Sequence, residues 1–270
     1  MSDTSILITD HYIQQEPFYL PNNNEIEIAI AAYKNKLPLL LKGPTGCGKT
    51  RFMCYLAWKL KRPLITVSCH DDLSTSDLIG RFLIKNNEAI WQDGPLTLAV
   101  KKGAICYLDE IVEARKDTTV VIHPLTDDRR ELPIEKLGVL YSAPETFMLS
   151  ASYNPGYQSI AKDLKPSTRQ RFVSIAFDYP DHKQESLVVA QEARISSEFA
   201  HQLVQLAHMT RGLKDSGLAE GASTRLLIQA GLLHKSGISK IDACRAGICE
   251  SLTDDPELLT ALEEMVLSLF

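Results

Sequence analysis

The sequence predicts an α/β fold in which a five-stranded parallel sheet forms the core and a small all-helical domain follows at the C-terminus. Five short apolar runs are continuous rather than alternating, which is typical of strands covered by helices on both faces. They span residues 37–42, 64–68, 104–108, 147–152 and 173–177. Beyond residue 180, apolar residues recur at helical spacing instead.

The chain length also indicates two domains. A single hydrophobic core stops growing at about 250 to 300 residues, and this chain has 270. We therefore expect an α/β domain over residues 1–180 and a helical domain over residues 181–270. Helices are predicted in the second domain over residues 185–194, 197–210, 223–233, 238–249 and 256–269.

Charge and hydropathy exclude several classes of protein. The net charge of −5 provides no basic surface for nucleic acid or for an anionic membrane. The acidic start lacks the basic and then apolar pattern of a signal peptide, and no apolar run approaches the ~20 residues of a membrane span. We expect a cytoplasmic protein that neither binds nucleic acid nor inserts into a membrane.

The first apolar run leads into a glycine-rich loop and then a helical pattern over residues 52–60. The loop, residues 43–50, reads Gly-Pro-Thr-Gly-Cys-Gly-Lys-Thr, and its glycines let backbone N–H groups point at a phosphate. Lys49 is expected to reach the β- and γ-phosphates of ATP, and the Thr50 hydroxyl to bind Mg²⁺. The residues expected to contact nucleotide are Gly43, Pro44, Thr45, Gly46, Cys47, Gly48, Lys49, Thr50 and Arg51.

The third apolar run ends in two acidic residues, Asp109 and Glu110. An ATPase needs a carboxylate at a strand tip beside the phosphate loop to hold magnesium, and often a second one to polarise the attacking water. We assign Asp109 to the metal and Glu110 to the role of general base. An acidic pair after an apolar run is common, so this interpretation depends on the phosphate loop.

Two connections are longer than an α/β unit needs, and both are predicted to be hairpins. Residues 80–95 hold a β-like run, a polar turn at Asn86 and Asn87, and a second run. Residues 129–143 hold two runs on either side of Gly138. Between them, residues 111–125 show apolar spacing of three and four, which predicts a helix.

The fourth apolar run is followed by Asn154 and Pro155. A strand-end amide could orient the attacking water against the γ-phosphate, and Asn154 is our candidate. The alternative is a turn residue before proline.

The six cysteines show no metal-binding spacing and are interpreted as reduced, mostly buried thiols. Cys47 has two interpretations: an ordinary buried thiol like the others, or a reactive one, since a helix N-terminus lowers a thiol pKa and oxidation there could block nucleotide binding.

These motifs resemble the AAA+ ATPases, and within them the CbbQ/NorQ/NirQ branch of the MoxR group. The resemblance runs from residue 16 to the C-terminus and is most specific in residues 41–51, 91–96, 104–119, 152–157 and 220–225. It implies the P-loop AAA+ (ASCE) version of the fold, a helical lid and a homo-hexameric ring. By motif, Lys49 and Thr50 correspond to Walker A, Asp109 and Glu110 to Walker B, and Asn154 to sensor 1.

The resemblance also assigns two arginines and the two hairpins. Arg171 matches the arginine finger that enters the neighbouring subunit's site, with Arg169 as the alternative. Arg225 matches sensor 2, acting on its own or a neighbouring nucleotide. The hairpin at 80–95 matches the pore-facing helix-2 insert, and that at 129–143 the pre-sensor-1 insert.

The function implied is ATP-driven remodelling of a client enzyme beside a CbbO-like partner with a von Willebrand factor A domain. Rubisco, freed from inhibitory sugar phosphates, is our first choice of client, and maturation of nitric oxide reductase is the alternative. The ATP motifs are shared and do not select between them.

Three other classes of function are weighed against this one. A small-molecule kinase would lack the acidic strand tip, the strand-end asparagine and the arginine pair. The acidic pI argues against a DNA motor. A non-enzymatic nucleotide-gated scaffold stays open, because a hydrolytic site can be slow.

Overall fold

The computed structural model describes residues 8–85, 87–155, 164–213 and 217–270. Asn86, part of the predicted turn, and residues 156 and 157, part of the segment 152–157 that resembles the family, lie outside the described residues. The chain divides into two compact units. The first comprises Lys49–Phe177 and the chain up to Gly43, and the second comprises Pro44–Gly48 and Asp178–Phe270.

The predicted five-stranded parallel sheet is confirmed in the first unit. The strands along the chain are β1 Leu39–Lys42, β2 Leu64–Ser68, β3 Gly80–Lys85, β4 Glu88–Asp93, β5 Ile105–Asp109, β6 Glu131–Ile134, β7 Val139–Ser142, β8 Met148–Tyr153 and β9 Val173–Ala176. The core sheet has the order β2-β5-β8-β1-β9, and every neighbouring pair is parallel. All six residues of β8 are buried, as expected for a central strand covered on both faces.

Helices surround this sheet. Those of the first unit are α1 Glu25–Lys34, α2 Lys49–Leu60, α3 Thr75–Ile79, α4 Pro95–Lys102, α5 Lys116–Val121 and α6 Pro166–Arg169. Short 3-10 turns lie at Ile8–His11, Ile111–Glu113, His123–Leu125 and Glu135–Leu137. Phe52 of α2 is fully buried, and its ring lies 5.3 Å from that of Phe177 at the end of the sheet.

The helix predicted over residues 111–125 is wrong as a single element. The segment holds two 3-10 turns with α5 between them. Pro124 has no N–H to donate and disfavours α geometry at the residue before it, so a helix cannot run through it. The β-branched residues of α5 lower the helix propensity of this segment further. One of them, Thr118, donates its hydroxyl to the Leu73 carbonyl at 2.9 Å.

Both long connections contain antiparallel strand pairs. In the first, β3 pairs with β4, with Phe82 opposite Trp91. In the second, β6 pairs with β7, with Glu131 opposite Ser142. The first hairpin carries exposed apolar side chains, and Ile84 is 83% exposed.

The second unit is helical beyond Asp178, which confirms the predicted C-terminal helical region. Its helices are α7 His182–Ala193, α8 Ser197–Arg211, α9 Thr224–Lys235, α10 Lys240–Cys244, α11 Glu250–Leu252 and α12 Pro256–Leu269. Five of them begin with a side chain that accepts a backbone N–H of the first turn, namely Asp181, Ser196, Ser223, Ser239 and Asp255.

The predicted helix over residues 238–249 differs from the structure in its second half. Arg245–Cys249 forms a π-helical turn between α10 and α11. A Cβ added at Gly247 would lie 3.1 Å from the Ala230 backbone, so glycine allows this turn to approach α9 closely.

In the part of the chain that the structure describes, no helix combines the length and apolarity required to cross a membrane.

Candidate active site

The site residues of the first unit lie where neighbouring parallel strands end. Asp109 closes β5, Asn154 follows β8, and Gly43 follows β1. These three strands are neighbours in the sheet, and the carboxyl ends of parallel strands meet at one edge, the usual position for ligands in such folds. The topology therefore brings together residues that are far apart in sequence.

Lys49 opens α2 and is only 6% exposed. Its Nζ donates to the Gly43 carbonyl at 2.7 Å and lies 3.9 Å from Oε1 of Glu110. The ammonium group is thus held between the first glycine of the loop and the predicted base. Arg51, in the first turn of the same helix, is exposed.

The Asp109 carboxylate accepts three hydroxyl hydrogen bonds. Its Oδ1 accepts from Ser152 Oγ at 2.5 Å and from the Tyr107 hydroxyl at 2.7 Å, and its Oδ2 accepts from Thr50 Oγ1 at 3.3 Å. Burial raises the pKa of Tyr107, and the charge of Asp109 raises it further, so this hydroxyl remains a donor. Hydroxyl and carboxylate oxygens are the ligands that Mg²⁺ prefers, so the pair of Thr50 and Asp109 fits that ion.

Ser152 and Tyr107 are not among the site residues predicted from the sequence. Tyr107 lies two residues before Asp109 on the same strand, so the two side chains lie on the same face of the sheet. This spacing is visible in the sequence and could have identified Tyr107. Ser152 lies on β8 beside the end of β5, and finding it requires the register between these strands.

Glu110 follows β5 in a left-handed backbone conformation with φ of 54°, which is uncommon outside glycine and is often found at functional sites. Its backbone N–H donates to Ser152 Oγ at 3.1 Å. Burial raises the pKa of its carboxyl group; the positive charge of Lys49 acts in the opposite direction without reversing the shift. The backbone N–H of Asn154, a residue only 6% exposed, hydrogen-bonds the same carboxylate.

The two candidate finger arginines differ in exposure. Arg169 ends α6 and is half-buried, whereas Arg171 is exposed. Nη1 of Arg171 lies 3.4 Å from Asp127 Oδ2, and the same oxygen lies 2.6 Å from Nη2 of Arg129. Hydrogen bonds from Arg129, together with the smaller effect of the nearby Arg171 charge, lower the pKa of Asp127 to about 2.

The other phosphate-loop residues belong to the second unit, together with Arg225. Gly46 has φ of +69°, and a Cβ built there would lie 2.7 Å from Ser223 Cβ and 3.3 Å from Arg225 Cβ. Only glycine fits this position. Arg225 is exposed in the first turn of α9.

The remaining loop residues differ in exposure and backbone conformation. Cys47 is 7% exposed, Thr45 is exposed, and Pro44 is half-buried. Gly48 has φ of +102°, a conformation that favours glycine.

Comparison with known proteins identifies two family regions in the chain. Residues 38–172 match the AAA domain (dynein-related subfamily), and residues 185–269 match the CbbQ/NirQ/NorQ C-terminal region. The protein NorQ of Paracoccus denitrificans is 56% identical over 94% of this chain and 94% of its own. The protein CbbQ of Hydrogenophilus thermoluteolus is 52% identical over 98% of this chain and 99% of its own.

Solved structures share the fold at low identity. A point mutant of Thermotoga maritima RuvB aligns with a TM-score of 0.58 at 14% identity, covering 94% of this chain and 73% of that one. The family resemblance and the enzyme class predicted from the motifs, an ATPase, are both confirmed, and nucleotide binding follows from membership. The chain belongs to the CbbQ/NirQ/NorQ family of AAA ATPases.

Proposed function

We propose that this ATPase hydrolyses Mg-ATP with the residues at the carboxyl edge of its sheet. The observation that carries the proposal is the convergence of Lys49, Thr50, Asp109 and Glu110, with Asp109 and Thr50 joined by a hydrogen bond. ATP would be bound by the loop residues 43–50 and by Arg51. Thr50 and Asp109 would hold Mg²⁺, which neutralises phosphate charge when it is bound.

Glu110 is the proposed general base. A base works best with a pKa near the operating pH, and burial moves the Glu110 pKa upward in that direction. The hydrogen bond from the Asn154 backbone fixes the carboxylate beside the asparagine, whose amide is proposed to orient the water. Lys49 is proposed to bind the phosphate oxygens on which negative charge develops.

Two substitutions separate binding from hydrolysis. We expect Lys49→Ala to abolish ATP binding, because it removes the buried cation of the loop. We expect Glu110→Gln to leave ATP affinity within about 3-fold of the parent and to lower kcat at least about 100-fold, the usual size of a general-base contribution. Both are measured by calorimetric titration with ATP and by phosphate release.

A matched control is Glu145→Gln, an exposed glutamate paired with Lys36. It should change neither quantity. Full nucleotide affinity in Lys49→Ala would contradict the loop assignment, and undiminished turnover in Glu110→Gln would place the base elsewhere. A protein that binds ATP without hydrolysing it would favour the scaffold alternative.

The assembly is proposed to be a homo-hexamer in which Arg171 enters the neighbouring subunit's site. Support comes from its exposure, because an arginine that serves another chain must be accessible. Arg225 is proposed to act as sensor 2 on the nucleotide of its own chain or of a neighbour; a Cβ built at Gly46 of the loop would lie 3.3 Å from the Arg225 Cβ.

This chain is proposed to act in the cytoplasm on Rubisco as client, with a CbbO-like protein carrying a von Willebrand factor A domain as partner. Support comes from the similarity to CbbQ, which extends over 98% of this chain and so includes both hairpins. Maturation of nitric oxide reductase is the second candidate, supported by the 56% identity to NorQ.

One experiment with two arms tests the client. In the first, Rubisco inhibited by a sugar phosphate is incubated with ATP, the CbbO-like partner and this protein, and carboxylation is measured. We expect recovery with the parent chain and none with Glu110→Gln. In the second arm, nitric oxide reductase is produced with and without this protein. If only the nitric oxide reductase activity of the second arm depends on this chain, the client is nitric oxide reductase and not Rubisco.

A further inference from the structure

Tyr179 hydrogen-bonds the phosphate loop from within the second unit. Its hydroxyl donates to the Thr45 carbonyl oxygen at 3.0 Å. That carbonyl shares its peptide group with the N–H of Gly46, one of the loop glycines. Burial raises the pKa of Tyr179, and the charge of Glu220 raises it further, so the hydroxyl stays protonated and able to donate.

The ring of Tyr179 stacks on Arg211, which forms an ion pair with the buried Glu185. The Arg211 guanidinium carbon lies 3.7 Å from the ring centroid, a close cation–π contact. Arg211 in turn binds Glu185 through two parallel hydrogen bonds of 2.8 and 2.7 Å. Glu185 has no exposed surface and also accepts the Thr224 hydroxyl at 2.6 Å.

Further contacts fix Arg211 itself. Its Nε donates to the Ala222 carbonyl at 2.9 Å, and a Cβ at Gly221 would lie 2.5 Å from the Arg211 Cα. All three guanidinium nitrogens of Arg211 donate hydrogen bonds, and these hold the planar group in one orientation. The aromatic ring stacked on it is therefore fixed as well. Because ion pairs taken out of water add little net stability, we infer that this pair serves to orient the ring of Tyr179.

The network meets the loop at a second point. Thr224, which binds Glu185, directly follows Ser223, and Ser223 is the residue that leaves no room for a side chain at Gly46. The loop is therefore contacted on both sides of one peptide group, at the Thr45 carbonyl by Tyr179 and at Gly46 by Ser223.

We infer that Tyr179 is a positioning residue for nucleotide binding, held in place by the Arg211–Glu185 pair. Its hydroxyl fixes the peptide group between Thr45 and Gly46, and the bond to the carbonyl polarises that group so that its N–H is a stronger donor to phosphate. This inference rests on the proposed nucleotide site.

Tyr179→Phe tests the inference, because it removes the hydroxyl and keeps the ring on Arg211. We expect affinity for ADP and for a non-hydrolysable ATP analogue to fall roughly 3- to 10-fold, the range for one neutral hydrogen bond. The melting temperature and kcat at saturating ATP should stay near the parent values. Tyr33→Phe is the matched control, since Tyr33 also donates to a carbonyl, that of Thr146 at 3.3 Å, in the first unit.

A second variant tests the role of the ion pair. Arg211→Lys keeps the charge but loses the two-bond contact with Glu185, and we expect it to weaken nucleotide binding as Tyr179→Phe does. If the pair acts through Tyr179, the double variant should bind no more weakly than Arg211→Lys alone. Additive losses would overturn that link.

The outcomes separate the inference from the proposed function. Unchanged affinity in Tyr179→Phe, alongside a parent that binds ATP and a Lys49→Ala chain that does not, would overturn the inference alone. An equal loss in Tyr33→Phe would also overturn it, because the effect would then be general. A parent chain that binds no nucleotide would overturn both.

Discussion

At the scale of single residues, the Asp109 carboxylate is oriented by the protein itself. Two hydroxyl groups, from Tyr107 and Ser152, bind Oδ1, while Thr50 binds Oδ2. Ser152 has a second role, because its oxygen accepts the Glu110 backbone N–H. One serine therefore fixes both acidic residues, and its loss should disturb the proposed metal ligand and the proposed base together.

We expect Ser152→Ala to lower kcat/KM for ATP by roughly 10-fold, equivalent to about 1.4 kcal/mol of transition-state stabilisation, and to raise the Mg²⁺ concentration needed for half-maximal rate. Phosphate release at several Mg²⁺ concentrations measures both. Ser150→Ala is the matched control, because Ser150 is equally buried on the same strand but donates to Met53 Sδ. Equal effects of the two variants would refute the role of Ser152.

The pH dependence of hydrolysis should report the raised pKa of Glu110. A base acts in its ionised form, so kcat/KM falls as the pH drops through the pKa of the free enzyme, and a raised pKa moves the fall to higher pH. We expect the acid limb of kcat/KM to lie above the ordinary glutamate value of 4.5. Phosphate release at ATP concentrations well below KM measures it, with circular dichroism at each pH to confirm folding. A rate that stays constant down to pH 4.5 would contradict the assignment.

At the scale of elements, the hairpin of β3 and β4 has an apolar outer part. Phe82, Ile84 and Ile90 are 48%, 83% and 47% exposed. Phe82 and Ile84 share one face of the hairpin, and Ile90, opposite Leu83, lies on the other. Neighbouring exposed apolar side chains such as Phe82 and Ile84 usually mark a contact surface, whereas single ones need no explanation. In the proposed ring this hairpin would face the pore, where ATP turnover would act on the client.

We expect Ile84→Ser to leave ATP affinity unchanged and to lower client reactivation at least about 5-fold, the effect of losing about 1 kcal/mol at a contact. The measurement is the Rubisco reactivation rate divided by the ATPase rate. Val120→Ser provides the control, because Val120 is 59% exposed on α5, outside the hairpin. A parallel fall in both variants would show a general effect of the lost apolar surface.

The sequence predicted some elements and not others for identifiable reasons. The five core strands were predictable because strands buried on both faces are continuously apolar, as β8 illustrates. The helix over residues 111–125 was not, because its spacing is helical while Pro124 ends it. Ser152 was not predicted because its contact with Asp109 depends on which residues of β5 and β8 are opposite each other. Neither strand's sequence determines that register alone.

Tyr179 was not predicted from the sequence for a different reason. Its contact with Thr45 joins residues 134 positions apart, and the segment after the last strand shows only a change from β to helical spacing. The ion pair of Arg211 with the buried Glu185 has no sequence signature either, because charged residues on helices are usually exposed. Motif residues can be proposed from the sequence because chemistry constrains their spacing, whereas the residues that contact and orient them are determined by packing.

At the scale of the whole molecule, Arg171 is exposed in the first unit and forms an ion pair with Asp127 at 3.4 Å. An arginine that stabilises phosphoryl transfer can be supplied in trans. In a ring with head-to-tail interfaces, each chain would then complete the site of its neighbour. ATP turnover would be a property of the assembly.

Mixed rings test this trans role. Arg171→Ala alone should lower kcat by about 1000-fold or more, the range for such an arginine. Mixed with Lys49→Ala chains, which keep Arg171 but cannot bind ATP, it should recover up to about a quarter of parent activity, since random mixing pairs the two correctly at that fraction of head-to-tail interfaces. Chains carrying both substitutions supply no arginine and serve as the control. Native mass spectrometry confirms mixing, and confirmed mixed rings without recovery would contradict action in trans.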